Sequence, residues 1–305
     1  MKKYILFSFT AAACFLGHTM SAQDDDLLGL VDNQNEPKKK EFVSATFKGT
    51  RLVNFHTVEV PGKNSLEFRI SHHFSDFNSG GYNFWGLDGG ASIRLGLEYS
   101  KDGRFEVGVG RSSLEKVYDG FLKYKLIRQT LNNKQPFTIT LFSSLYYTTL
   151  KDPNAASTGV NRYEFASSRL NYCHQIIIAR KFSERLSVQL SPTMVHYNLV
   201  DLVAQSNDQF IASVAARYKF TRRFAMTFEY GYRINDRNVG SYFDSMGIGF
   251  DLETGGHVFQ MFLTNSAGMI ETQYYGRTTS DWRQFGIKLG FNISRMFWIA
   301  ARADD

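Results

Sequence analysis

Apolar and polar side chains alternate one by one along most of this chain, and the alternation breaks at regular intervals. In Ala91–Gly110, ASIRLGLEYSKDGRFEVGVG, the side chains of Ile93, Leu95, Leu97 and Tyr99 share one face, and Ser92, Arg94, Gly96 and Glu98 the other. A Lys101-Asp102-Gly103 turn follows, after which Phe105, Val107 and Val109 alternate with Glu106, Gly108 and Gly110. Period two marks a strand with two unlike faces. The pattern predicts strands at Leu66–Phe74, Ala91–Ser100, Arg104–Arg111, Phe121–Gln129, Phe137–Thr149 and Phe165–Phe182. It predicts others at Leu186–Asn198, Phe210–Phe220, Phe224–Arg233, Ser245–Glu253, His257–Asn265 and Trp282–Asn292. That makes about twelve, most of them near the ~9–11 residues a tilted strand needs to cross a bilayer.

The links alternate too. Short ones are expected at Lys101–Gly103, Thr130–Pro136, Ser183–Arg185, Thr221–Arg223 and Thr254–Gly256. Long ones are expected at Ser75–Gly90, Ser112–Gly120, Lys151–Glu164, Leu199–Gln209, Ile234–Asp244 and Ser266–Asp281. This asymmetry predicts an all-β fold, a transmembrane antiparallel up-and-down β-barrel with short periplasmic turns and long extracellular loops. A soluble sandwich gives no reason for one end to own the long loops.

On that reading Ile93, Leu95, Leu97, Val107, Val109, Leu122, Leu126, Leu190, Val214, Met226, Phe228, Ile248, Phe250, Ile287 and Leu289 face lipid. Tyr99, Phe105, Phe182, Phe220 and Phe224 form an aromatic girdle beside the short turns. The opposite faces carry Arg69, Arg94, Glu98, Lys123, Lys125, Arg169, Arg217, Lys219, Glu229, Asp251 and Lys288. So many charges on a dry interior would be costly unless paired, so the lumen is expected to be wet or ion-paired. Basic residues outnumber acidic ones in this inward set, which would mildly favour anions in an open pore.

The N-terminus adds export. Lys2 and Lys3 precede an apolar run from Tyr4 to Leu16 and small residues ending at Ser21-Ala22, the layout of a signal peptide over 1–22. Residues 23–45 read as a flexible periplasmic segment, with Asp24–Asp26 available to a periplasmic partner, and 46–305 as the barrel. The expected location is the outer membrane of a Gram-negative bacterium. The leader takes Cys14 with it, leaving Cys173 alone and no intramolecular disulfide. It also lowers the net charge from +6 to +4 by removing Lys2 and Lys3, too little to argue for nucleic acid.

Several blocks resemble a Bacteroidota family of outer-membrane proteins known as a membrane-bound β-barrel domain of unknown function. They are DDDLLGLVD at Asp24–Asp32, TFKGTRLVNFHTVE at Thr46–Glu59 and FRISHHFSDFNSGGYNFWGLD at Phe68–Asp88. Further ones are GVGRSSLEKVYDGFLKYKLIRQ at Gly108–Gln129, IARKFSERLSVQLSPTMVH at Ile178–His196, DLETGGHVFQMFLTNSAGM at Asp251–Met269 and GFNISRMF at Gly290–Phe297. The resemblance implies export, a barrel and a membrane. It brings no activity and no catalytic residue.

Candidate chemistry is sparse. His72 and His73 with Asp76 invite a metal, yet adjacent strand residues point to opposite faces and cannot share one ion, so no metal or other cofactor is expected. A lipid-face hydrolase could be assembled from His174 and Ser191, or from His196 and Ser168, but neither pair has a third group and no G-x-S-x-G elbow is present. The Gly-rich loop Phe77–Gly90 carries Tyr82, Phe84 and Trp85, suited to a packed cap, to binding, or to a constriction in the barrel mouth. The leading expectation is a non-enzymatic, narrow passive channel for small polar or anionic solutes. The alternatives are a membrane anchor or assembly component with a closed, ion-paired lumen, and a membrane-embedded lipid hydrolase. In each case outer-membrane lipid surrounds the chain.

Overall fold

The computed structural model describes residues 41–152, 161–221, 223–254 and 257–299. The signal peptide and most of the expected flexible segment lie outside these residues. Twelve strands follow one another in chain order: β1 Ser65–Asp76, β2 Ser92–Ser100, β3 Phe105–Ser112, β4 Val117–Ile127, β5 Thr138–Thr148, β6 Leu170–Lys181, β7 Leu186–Tyr197, β8 Asp208–Lys219, β9 Phe224–Arg233, β10 Ser245–Thr254, β11 His257–Thr264 and β12 Lys288–Trp298. Each pairs antiparallel with its sequence neighbours, and β12 returns to β1 from Ser65↔Trp298 to Asp76↔Lys288, closing the barrel. Closure leaves no strand edge to satisfy in hydrocarbon.

The alternation that predicts the strands also sets their exposure. Along β2 and β3, Ile93, Leu95, Leu97, Val107 and Val109 lie on the outer face, with Val109 61% exposed. The same outer belt takes Leu122, Leu190, Phe228, Ile248 and Phe250. A soluble monomer rarely exposes an apolar patch above a few hundred Å². A continuous apolar belt around a closed cylinder calls for acyl chains as its solvent. Rings band the belt at both ends: Phe105, Phe182, Phe220 and Phe224 near the short turns, and Tyr118, Tyr147 and Tyr232 near the opposite rim.

Three strand starts differ from the sequence expectation by four residues or more. β4 starts four residues early, at Val117, so the β3–β4 link shrinks to residues 113–116 and no longer counts among the long loops. β6 starts at Leu170, because Ala166–Arg169 forms a 3-10 turn. β12 is displaced toward the C-terminus, because Trp282–Gln284 forms a 3-10 turn in which the Arg283 N–H donates to the Asp281 side chain. Ile287, expected on a lipid face, therefore lies just before the strand. Arg169, expected on an inward face, stands on the 3-10 turn and donates to the Thr148 and Leu150 carbonyls at the rim.

The barrel wall begins at Ser65, not near Thr46. Residues 41–43 pair with the β4–β5 link: Phe42 bridges Thr130, Val43 N–H donates to the Gln129 carbonyl at 2.9 Å, and Leu131 N–H donates to the Glu41 carbonyl. From there the chain turns into the barrel.

Candidate functional site: the occupied lumen

Residues 46–59, TFKGTRLVNFHTVE, lack period two, yet they are among the most buried in the molecule: Phe47, Leu52, Val53, Phe55 and Val58 are all 2% exposed or less. They fold on themselves as a small hairpin. Thr57 N–H donates to the Thr50 carbonyl at 2.9 Å, Arg51 bridges His56, and Leu52 N–H donates to the Phe55 carbonyl at 3.0 Å across the tip. At the open end Thr46 N–H donates to Glu59 Oε1 at 2.9 Å.

The tip points its backbone at a wall carboxylate. The N–H groups of Val53, Asn54 and Phe55 donate to Glu229 on β9 at 3.2, 2.9 and 3.0 Å. Three consecutive donors converging on one carboxyl group make a backbone nest around it. Asn292 on β12 donates to the Val53 carbonyl at 2.9 Å, and Gln189 on β7 to the His56 carbonyl at 2.7 Å. Thr50 Oγ1 donates to Glu98 at 2.8 Å and accepts from Arg69 at 2.8 Å. Lys123 donates to the Glu59 carbonyl at 2.9 Å and lies 3.2 Å from Glu106, while Lys125 pairs with the Glu59 carboxylate at 3.0 Å. The hairpin thus meets the wall through these polar groups and through apolar side chains: Phe47, Leu52, Phe55 and Val58 share one buried cluster with Phe121, Phe142 and Ile177 of the wall.

A second segment enters from the opposite end. In the β11–β12 connection, Met269, Ile270, Glu271 and Tyr274 are buried, and Glu271–Tyr274 forms a single helical turn. Phe55 at the hairpin tip packs on Tyr274 at 5.3 Å and Tyr275 at 4.8 Å between ring centroids. Tyr146 of β5 donates to Glu271, and Tyr197 of β7 donates to the Thr272 carbonyl at 2.5 Å. The lumen is therefore stoppered in two pieces that meet ring on ring near its middle.

Buried charge inside is balanced. Arg51, Arg69, Arg94, Lys123, Arg217, Arg233 and Lys288 are buried, and so are Glu67, Glu98, Glu106, Asp119, Glu229, Asp251 and Glu271. The basic excess inferred from alternation does not appear among these residues, because Glu67, Glu106, Asp119 and Glu271 also point inward. Arg94 and Asp119 form a two-bond pair, and Arg217 lies 3.1 Å from Asp251. Glycines make room for these groups. A Cβ on Gly110 would sit 2.4 Å from the Arg94 guanidinium, and one on Gly108 2.2 Å from the Phe121 ring. Lys288 reaches Asp76 and Ser280 near the long-loop end. Lys219 is half-buried near the short-turn end of β8.

The expected loop site stays outside. Tyr82, Phe84 and Trp85 are 93%, 56% and 47% exposed, so this loop does not constrict the mouth; the 265–280 connection occupies that place. Of the paper hydrolase pairs, His174 instead shares a 3.0 Å hydrogen bond with Ser143 on the outer face, and His196 contacts Asp208 and Asn198. His72 stacks on Phe291 outside, while His73 reaches the Ser266 carbonyl inside.

The family model described as "Membrane bound beta barrel domain (DUF5777)" matches residues 47–297. No curated protein matches the chain. Among solved structures, the NanC porin is similar at 9% identity and TM-score 0.48, covering 77% of this chain and 100% of that one. The KdgM porin is similar at 11% identity and TM-score 0.43, covering 77% and 99%. The outer membrane protein Omp33 of Acinetobacter baumannii is similar at 9% identity and TM-score 0.40, covering 79% and 100%.

Proposed function

From the premise that the chain belongs to the family of membrane-bound beta barrel domains, we propose that it is an outer-membrane channel for small polar solutes, held shut by its own N-terminal hairpin. The observation that carries this reading is the nest of Val53, Asn54 and Phe55 N–H groups on Glu229. A backbone-to-carboxylate latch can exchange its hydrogen bonds for water, so releasing the tip does not leave these groups unsatisfied.

The hairpin is also well placed to be moved. It enters past the β4–β5 link at the short-turn end, which in this orientation faces the periplasm, and it continues the segment that begins with Asp24–Asp26. A periplasmic partner drawing on that segment would work directly on the stopper.

Planar-bilayer conductance tests the reading. The mature chain is expected to be nearly silent. A variant lacking residues 46–59, with Tyr274 and Tyr275 also changed to Ser, is expected to give discrete openings. Silence from this variant, once shown to be folded by its heat-shifted gel mobility, would replace the channel with the second reading: a closed barrel acting as an anchor. The internal ion pairs Lys123–Glu106, Arg94–Asp119 and Arg217–Asp251 favour that alternative.

A further inference from the structure

A solute arriving from the long-loop side first meets the connections between β9 and β10 and between β11 and β12. Between them lies a cavity of about 300 Å³, lined by Tyr230, Arg233, Arg237, Tyr242, Trp282 and Arg283 among others. Three arginines line the cavity, but they are not equivalent. Arg237 forks onto Asp244 with two contacts of 3.2 Å, and Arg283 onto Asp281 at 3.0 and 3.1 Å. Asp244 is committed further, accepting from Tyr230 Oη at 2.8 Å and from Arg233 N–H at 3.0 Å. The Arg233 side chain has no carboxylate partner. Its Nη2 donates to the Asp236 carbonyl at 2.6 Å, while Nε and Nη1 have no acceptor. Its charge is 2% exposed and lies 5.7 Å from the Tyr242 ring centroid.

A nearly water-free guanidinium without a carboxylate partner is costly, because burial removes its hydration and one carbonyl and one ring replace only part of it. The geometry points to a binding site in this cavity for a small carboxylate-bearing saccharide, with Arg233 as its charge partner and Tyr242 and Trp282 as ring walls. Each part of that class follows from the lining. The volume suits one sugar ring and falls at the small end of ligand cavities. Tyrosine and tryptophan rings offer flat apolar faces to the C–H face of a sugar. One free cation matches one carboxylate, whereas a phosphate dianion would need a second, and Arg237 and Arg283 are already neutralised.

The site names the solute class for the channel and so rests on that reading for its purpose, though binding at the mouth needs no open pore. The lumen below carries buried side chains of both signs. Discrimination between anions and neutral solutes would then be made at this cavity.

Calorimetric titration of the detergent-folded barrel tests the assignment without any bilayer, so a failed channel reading leaves it untouched. D-galacturonate is expected to bind saturably, D-galactose at least tenfold more weakly, and inorganic phosphate no better than D-galactose. Arg233→Gln is expected to weaken D-galacturonate at least tenfold. Because that residue is buried, Trp282→Ala, at a half-exposed position, serves as the second variant and is expected to weaken it severalfold. The assignment is overturned by the absence of saturable D-galacturonate binding, by equal affinity for D-galactose, by tighter binding of phosphate, or by wild-type affinity in both variants.

Discussion

Glu229 accepts three successive backbone N–H groups, so its loss strands three buried donors at once. Each buried donor left without an acceptor costs about 1–3 kcal/mol. Glu229→Ala is expected to unseat the hairpin, seen as protease cleavage within residues 46–59 of the folded barrel, and Glu229→Gln to do so less because an acceptor remains. His56 makes the same contact sensitive to acid. It lies on the hairpin, not on a spanning strand, with its ring 4.8 Å from that of Phe121 and 4.3 Å from that of Phe142. Burial first, and then Arg51 and Lys123, hold its pKa well below the ordinary 6.5, even though Glu271 is only 3.4 Å away. A seated hairpin therefore keeps His56 neutral, while a released one takes up a proton near 6.5. As pH falls below that value the released state gains about 1.4 kcal/mol per unit, until the seated value is reached. Hairpin cleavage is expected to accelerate between pH 7 and 5, and His56→Phe, which suits the aromatic setting, to flatten the profile.

At the scale of a strand, the two faces have different tolerances. Leu190 on β7 is 56% exposed to the outside, whereas its neighbours Gln189 and Ser191 are buried inside. An arginine on the lipid face near mid-membrane costs about 2–4 kcal/mol. Leu190→Arg is expected to lower the stability of the folded barrel by that amount in urea titrations on lipid vesicles. The turns have their own chemistry. Asp102 accepts from the N–H groups of Arg104 and Phe105 at 2.8 and 2.7 Å, and those backbone donors lower its pKa. The β4–β5 link is longer than its counterparts at the same end, and it is the one that receives Phe42 and Val43.

For the molecule as a whole, the outer belt and the filled lumen make opposite demands on solvent. The belt is exposed and apolar, so the mature chain is expected to aggregate in plain buffer and to fold in detergent or vesicles. A monodisperse, folded species without detergent, seen by scattering and circular dichroism, would overturn the membrane placement. Most of this architecture was legible from alternation: all twelve strands, their antiparallel order and the outward set from Ile93 to Phe250. Boundaries slipped where a 3-10 turn carried apolar residues, as at Phe165–Arg169 and Trp282–Gln284, since a ring there resembles a strand residue. The lumen was only half legible. Arg69, Arg94, Glu98 and Lys123 could be assigned to one face, but their partners could not, because Glu106, Asp119 and Thr50 come from other parts of the chain.

Alternation is a local property, and one side chain's direction follows from the next, so the sequence by itself determined a strand-built cylinder with a greasy outside and a charged inside. Whether that inside is open or occupied depends on segments without any period. Residues 46–59 and 265–280 acquire their place only by meeting Glu229, Glu98 and each other across distances that the chain order does not encode. Only the tertiary structure decided that the cylinder is stoppered, that buried acidic and basic side chains are equally numerous among the described residues, and that Arg233 at its mouth has no carboxylate partner.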